Sequence, residues 1–291
     1  MSAPVMVVEA ERTVETRSEV LWLGVVSVLF VGVYGPTLVW LWGRWTMSVW
    51  HNAHGLLIPP VAAYFIHDEL RRHAGVARAG SAWGFACLVP ALLIHAVDLS
   101  LDTRLLSAAS IVIALPGLAL LLIGPALTRT IWFPLAFLAF MLPIPLGVVE
   151  RLIMALRHVA ADAAATLVPW LGVPVYAEGT TLHLAHASLQ VADACSGFST
   201  LYAAMAVACL TAFATRSTTR RMLVLALAAP IAVSANVLRV SLLVLLVHWQ
   251  GTDVLATSLH SISGLLTFGL ALPVIFWLGS EPPDAAAEPR P

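Results

Sequence analysis

With 291 residues, 60% of them hydrophobic, only 11% charged and a mean hydropathy of +0.91, the chain excludes a soluble globular core, in which about a quarter of residues carry charge. Its net charge is −1 and all fifteen basic residues are Arg, so there is no basic surface and the composition argues against a nucleic-acid partner. About 20 apolar residues cross a hydrocarbon layer ~30 Å thick, so the expected fold class is an all-α polytopic membrane protein with about eight transmembrane helices.

Taken in chain order, residues 1–19 hold four Glu and two Arg without an apolar run. They lack the basic start and apolar middle of a signal peptide and read as a cytoplasmic N-terminal tail. Residues 20–279 read as a single integral-membrane domain, and 280–291, rich in Pro, Ala and acidic residues, as a disordered cytoplasmic C-terminal tail. Within the domain, apolar runs bounded by charge, Gly or Pro predict spans near 20–42, 52–67, 81–97, 105–124, 131–148, 197–214, 222–248 and 258–279. The run at 52–67 is short and contains Pro59-Pro60, so it reads as either a kinked span or a re-entrant segment.

Arg accumulates on the cytoplasmic side of membrane proteins. With the N-terminus inside, ten Arg fall in cytoplasmic segments and four (Arg44, Arg104, Arg151 and Arg157) in outer loops, which places both termini in the cytoplasm. Residues 149–196 then lie outside, between spans five and six. They open with an amphipathic stretch, Glu150 to His158, suited to a helix lying in the interface. From Val173 to Val191, β-branched residues, partial alternation and a Glu178-Gly179 turn signal predict a small hairpin. That hairpin delivers the chain to Asp193-Ala194-Cys195-Ser196-Gly197.

Three side chains stand out as chemistry-bearing. Arg239 lies inside the seventh span, where a charge is costly and marks a polar cavity, although snorkelling to the interface is its plainer explanation. Asn236 precedes it by one turn and shares its face. Cys195 stands just before the sixth span, with Ser196 and Gly197 at the helix entrance. The positive end of that helix and a nearby guanidinium are expected to lower the thiol pKa and favour the nucleophilic thiolate. Cys87 and Cys209, inside apolar helices, read as small buried hydrophobes, and three widely spaced cysteines make neither a disulfide framework nor a Cys-x-x-Cys metal site.

His260 lies at the outer end of the eighth span. A lone interfacial His is more often a packing or solvated residue, but here it reaches the same outer face as Cys195 and Arg239. A nucleophile, a proton carrier and an oxyanion partner suffice for acyl transfer. His51-x-x-His54 and His183-x-x-His186 have spacings open to zinc, yet neither pair sits in a His-Glu-x-x-His pattern, and no metal or cofactor is expected. His54 is better placed to shape the second segment near the site, with Glu178, Asp193 and His51 as polar neighbours of lower rank.

On these residues the chain resembles the exosortase and archaeosortase family of membrane-embedded cysteine transpeptidases. The resemblance runs through His54-Gly-Leu-Leu-Ile-Pro, Phe140-Met-Leu-Pro-Ile-Pro, Glu178-Gly179, Val191-Ala-Asp-Ala-Cys-Ser-Gly, Asn236-Val-Leu-Arg239, and His260 followed by Gly264. One departure is Phe198-Ser199-Thr200, where many relatives carry an aliphatic residue and then Arg or Asn. The resemblance implies catalytic roles for Cys195, Arg239 and His260 in an active site facing the periplasm from the bacterial inner membrane. It also implies substrate proteins with a C-terminal sorting signal: a short motif such as Pro-Glu-Pro, a transmembrane helix and a basic end. Water, an acceptor amine, or an exopolysaccharide or lipid-linked group would accept the acyl chain. Two rival readings are a transporter using Arg239 as an anion site and a non-catalytic factor for polysaccharide export.

Overall fold

Without water to satisfy its backbone, a long apolar run is stable only as a helix, and the computed structural model of the chain follows that rule. It describes residues 3–47, 53–192, 195–252 and 258–280. The helices are α1 (Ala3–Thr46), α2 (Ile58–Arg72), α3 (Phe85–Leu101), α4 (Leu105–Thr130), α5 (Trp132–Phe137), α6 (Leu146–Leu167), α7 (Phe198–Ala214), α8 (Thr218–Gln250) and α9 (Ser258–Gly279). Strands β1 (Val175–Glu178), β2 (Thr181–Leu184) and β3 (Ser188–Gln190) lie between α6 and α7. Among the described residues, five segments are long and apolar enough to cross a membrane: Gly24–Thr46, Ala82–Leu101, Leu105–Thr130, Gly147–Leu171 and Thr218–Gln250. Trp132–Met141, Phe198–Ala214 and Leu266–Gly279 form shorter apolar helices. The chain is therefore a polytopic, all-α membrane protein.

One sequence expectation changes and others gain detail. A helix already runs from Ala3 through the segment read as a tail, and the part of it long and apolar enough to span is Gly24–Thr46. The fifth run is not one helix, because α5 gives way to a 3-10 turn ending at Met141 and the chain is extended at Leu142 (ψ 134°). Pro143 and Pro145 cause this, since a residue before proline is pushed out of the helical region. The stretch expected as an amphipathic helix is helical, as α6, within a 25-residue segment, Gly147–Leu171, that is also apolar enough to span. The segment with Pro59-Pro60 forms a 3-10 turn (Ala53–Leu56) followed by α2, 15 residues long, with both prolines in its first turn, where no hydrogen bond is lost.

The chain divides into two compact units, residues 1–50 with 63–142 and residues 51–62 with 143–291. The first unit buries a polar network. Ser107 Oγ meets Thr37 Oγ1 at 2.6 Å and His95 Nδ1 at 2.6 Å, while Ser110 Oγ meets the Tyr34 hydroxyl at 3.0 Å. Asp98, 1% exposed, caps α4 by accepting from Ser107 N at 3.0 Å and from Thr103 Oγ1. In an apolar setting each of these groups needs such a partner.

In the second unit, Ala160 and Ala164 of α6, with Val168 of the 3-10 turn that follows it, pack with Leu182 and Leu189 of the sheet and with Val240 and Val244 of α8. The expected hairpin is present and gains a third strand, in the order β1-β2-β3, antiparallel throughout. Alternation sends Val175, Ala177 and Leu182 inward, and Tyr176, Glu178 and His183 to the other face. Small residues (Ala204 and Ala208 of α7, Ala228 and Ala232 of α8) bring these two helices close, with Ile275 of α9 in the same cluster.

Candidate active site

β3 ends at Gln190, and the next residues carry the chain off the sheet into a tight turn in which Cys195 N donates to the Ala192 carbonyl at 2.9 Å. Gly197, at φ +80°, then redirects the chain into α7. Its carbonyl accepts from Leu201 N at 2.8 Å, and Ser196 Oγ accepts from Phe198 N at 3.3 Å, so this pair caps the helix. Glycine is required at 197 twice over. A left-handed φ disfavours any side chain, and a Cβ would lie 2.5 Å from Cγ of Asn236.

Asn236 is 3% exposed and donates from Nδ2 to the Cys195 carbonyl at 3.0 Å. Its Oδ1 has no partner among the described residues. One turn along α8, Arg239 is 7% exposed, and its Nε donates to Ser263 Oγ of α9 at 3.0 Å. The guanidinium lies against Gly264, where a Cβ would stand 3.4 Å from Nη2. A buried arginine is thus held from α9 by a hydroxyl and by the absence of a side chain. This disposes of the snorkelling explanation for Arg239, since a snorkelling head group would be exposed.

The thiol of Cys195 departs from the sequence expectation. Burial pushes its pKa up, and the positive charge of Arg239 offsets that only in part, so the resting group is a thiol and not a thiolate. Helix position and a nearby cation had been expected to dominate. Cys195 belongs instead to the buried cluster formed by α6, the sheet and α8, where loss of water wins. Beside it opens a cavity of about 240 Å³ bounded by Gln190, Ala192, Cys195, Val240 and Leu243.

Of the other expected residues, His54 sits in the turn before α2, outside the long apolar helices. Its ring packs on Tyr202 of α7 with centroids 4.5 Å apart, which brings the turn before α2 to the first turns of α7. Burial lowers its pKa to about 4, so it is neutral at physiological pH. Glu178 is not brought to Cys195. It stands exposed on the outward sheet face, 3.3 Å from Nε2 of His183. His183 itself stacks on Tyr176 and meets Ser188 Oγ at 3.0 Å. His260 belongs to α9 one turn before Ser263 and Gly264, and so shares their face of the helix; its side chain, like Asp193 and His51, lies outside the described residues. Sequence reasoning passed over Ser263, whose signal was its place three residues after His260 on the helix that faces Arg239.

Residues 42–277 match the family model of the transmembrane exosortase (Exosortase_EpsH), well over half of the chain. The chain belongs to this family. No curated protein and no solved structure matches it.

Proposed function

We propose that this member of the transmembrane exosortase family is a cysteine-dependent peptidase or transpeptidase. In this reading it cleaves C-terminal sorting signals of exported proteins at the periplasmic face of the inner membrane. The observation that supports it best is the convergence on Cys195 from one helix: Asn236 fixes the cysteine's carbonyl while Arg239, one turn on, acts on its thiol.

The chemistry follows from the groups present. Because the resting thiol keeps its proton, attack on the substrate carbonyl requires a base, and His260 is the candidate. Sulfur bonds to the carbonyl carbon as His260 takes the proton. The developing oxyanion is held by Arg239, already buried and oriented by Ser263, so little reorganisation is needed. Collapse breaks the C–N bond, His260 returns the proton to the leaving amine, and a thioester to Cys195 remains. Water or an acceptor amine then attacks the thioester and frees the thiol.

The test is processing of a host protein whose C-terminus carries a short motif, one span and an Arg cluster. Wild type is compared with Cys195→Ala, Arg239→Ala and His260→Ala at matched membrane levels. Loss of cleavage in all three, with a thioester trapped in wild type, is the expected result. Undiminished cleavage by Cys195→Ala would overturn the reading.

A further inference from the structure

β3 is an edge of the sheet, and its hydrogen-bond alternation defines what that edge offers. Val191 N donates to Thr180 O at 2.9 Å and Leu184 N to Ala187 O at 2.8 Å. In the same register Leu182 faces Leu189, so 180/191, 182/189 and 184/187 are the hydrogen-bonded pairs. Leu189 and Val191 therefore direct their backbone polar groups to β2. Ser188 and Gln190, at the alternate positions, direct theirs away from it, and both residues are exposed. Among the described residues no strand covers that side. A row of outward N–H and C=O groups is a template for an extended polypeptide.

The row leads directly to the candidate nucleophile. Gln190 and Ala192 line the same cavity as Cys195, and the apolar pair Val240 and Leu243 of α8 lines it too. A small molecule or a lipid chain would gain nothing from the edge; an extended peptide uses the edge and the cavity together. Side chains of a paired strand alternate, so one of two neighbours points into the cavity while the other points away. The apolar wall selects an uncharged occupant, because a buried charge without a partner is strongly disfavoured.

We propose that the substrate polypeptide docks as a fourth strand on β3, hydrogen-bonded through its main chain to Ser188 and Gln190, with one apolar side chain seated in the cavity beside Cys195. The proposal rests on the peptidase reading above and adds how that site recognises its substrate. The segment before the scissile bond is then read mainly through its backbone, with a single side-chain position under selection.

Gln190→Pro is the discriminating variant. Proline at 190 deletes an outward N–H and no β2–β3 bond, whereas Leu189→Pro breaks the ladder and serves as the unfolding control. With wild type first shown to process a tail-bearing host protein through Cys195, Gln190→Pro is expected to process it about tenfold more slowly, the worth of one main-chain hydrogen bond. Alkylation of Cys195 by a small maleimide should be unchanged in that variant. A second readout does not depend on turnover: in Cys195→Ala membranes, cysteines placed at 188 and 190 should form disulfides with alternate positions of the substrate segment. Wild-type rates for Gln190→Pro, or crosslinking without a two-residue period, would overturn the docking proposal while leaving a Cys195-dependent peptidase intact. Processing that ignores Cys195 would instead remove the peptidase reading on which the proposal rests.

Discussion

The side-chain amide of Asn236 donates to the carbonyl oxygen of Cys195 at 3.0 Å, across 41 residues of sequence. One helix therefore carries both the arginine that acts on the thiol and the amide that sets the position of the cysteine backbone. Asn236→Ala leaves a buried carbonyl without its donor, which costs roughly 1–3 kcal/mol. A shift of the thiol by an ångström is enough to lower the rate by about 100-fold. The variant should remain folded, lose several degrees of thermal stability in detergent, and process substrate between about ten- and a hundredfold more slowly. Full activity would show that Asn236 does not position the site.

Gly197→Ala should be worse than its size suggests. The left-handed conformation at φ +80° costs a side chain about 1–2 kcal/mol, and the new methyl would lie 2.5 Å from Cγ and 2.8 Å from Nδ2 of Asn236. Combining it with Asn236→Ala removes those two atoms but leaves Cβ, also 2.8 Å away. The double variant should therefore recover part of the loss, a non-additivity that a thermal-melt cycle would measure. Strict additivity would mean that the two residues do not meet.

The helices were legible because their cause is local. Runs of apolar residues at 81–97, 197–214, 222–248 and 258–279 predict α3, α7, α8 and α9 with small errors at the ends, since backbone satisfaction without water leaves no alternative. The fifth span was misread because a hydropathy run does not register that Pro143 and Pro145 interrupt it. At the site, the order Cys195, Asn236 and Arg239 could be read from the motif and from helical spacing. The protonation of Cys195 could not, because it depends on how α6, the sheet and α8 enclose the thiol, and desolvation is a property of packing. Ser263 escaped for a similar reason: its value lies wholly in facing Arg239 from another helix.

Burial raises the Cys195 pKa above its ordinary 9.0, with Arg239 acting in the opposite direction. Alkylation of this thiol by iodoacetamide should therefore still be climbing with pH beyond 9.0, where an unperturbed thiol levels off. Arg239→Ala removes the lowering influence and should slow alkylation at any fixed pH. The folded protein retains a proton that the unfolded chain releases, so the stability from this source is complete below 9.0 and is lost as pH rises through the folded value. A rate that levelled off near neutral pH would contradict a thiol resting state.

Ser107 is the hub of the polar network in the first unit, meeting Thr37 Oγ1 and His95 Nδ1, each at 2.6 Å. Ser107→Ala deprives two buried side chains of a partner at once, and should cost about 2–4 kcal/mol by the penalty for each unsatisfied group. Ser107→Cys, with a weak donor and acceptor of similar shape, should recover part of that. Thermal unfolding of the two variants separates the loss of hydrogen bonds from the loss of volume.

His54 gives an acid-side prediction whose sign is opposite to that of the thiol. Its pKa falls from 6.5 to about 4 because the ring is buried, so the unfolded chain binds a proton that the folded protein refuses. Stability from this source is present above 6.5 and is lost as pH falls through about 4. That interval corresponds to roughly 3 kcal/mol at most. His54→Phe keeps a ring against Tyr202, with which His54 now packs at 4.5 Å, but cannot take up a proton. Melting temperatures measured between pH 4 and 7 should therefore fall less steeply for His54→Phe than for wild type. His54→Ala should be less stable at every pH, because the ring contact with Tyr202 is lost. Parallel acid limbs for wild type and His54→Phe would assign the acid sensitivity to other groups and leave the His54 ring with a packing role alone.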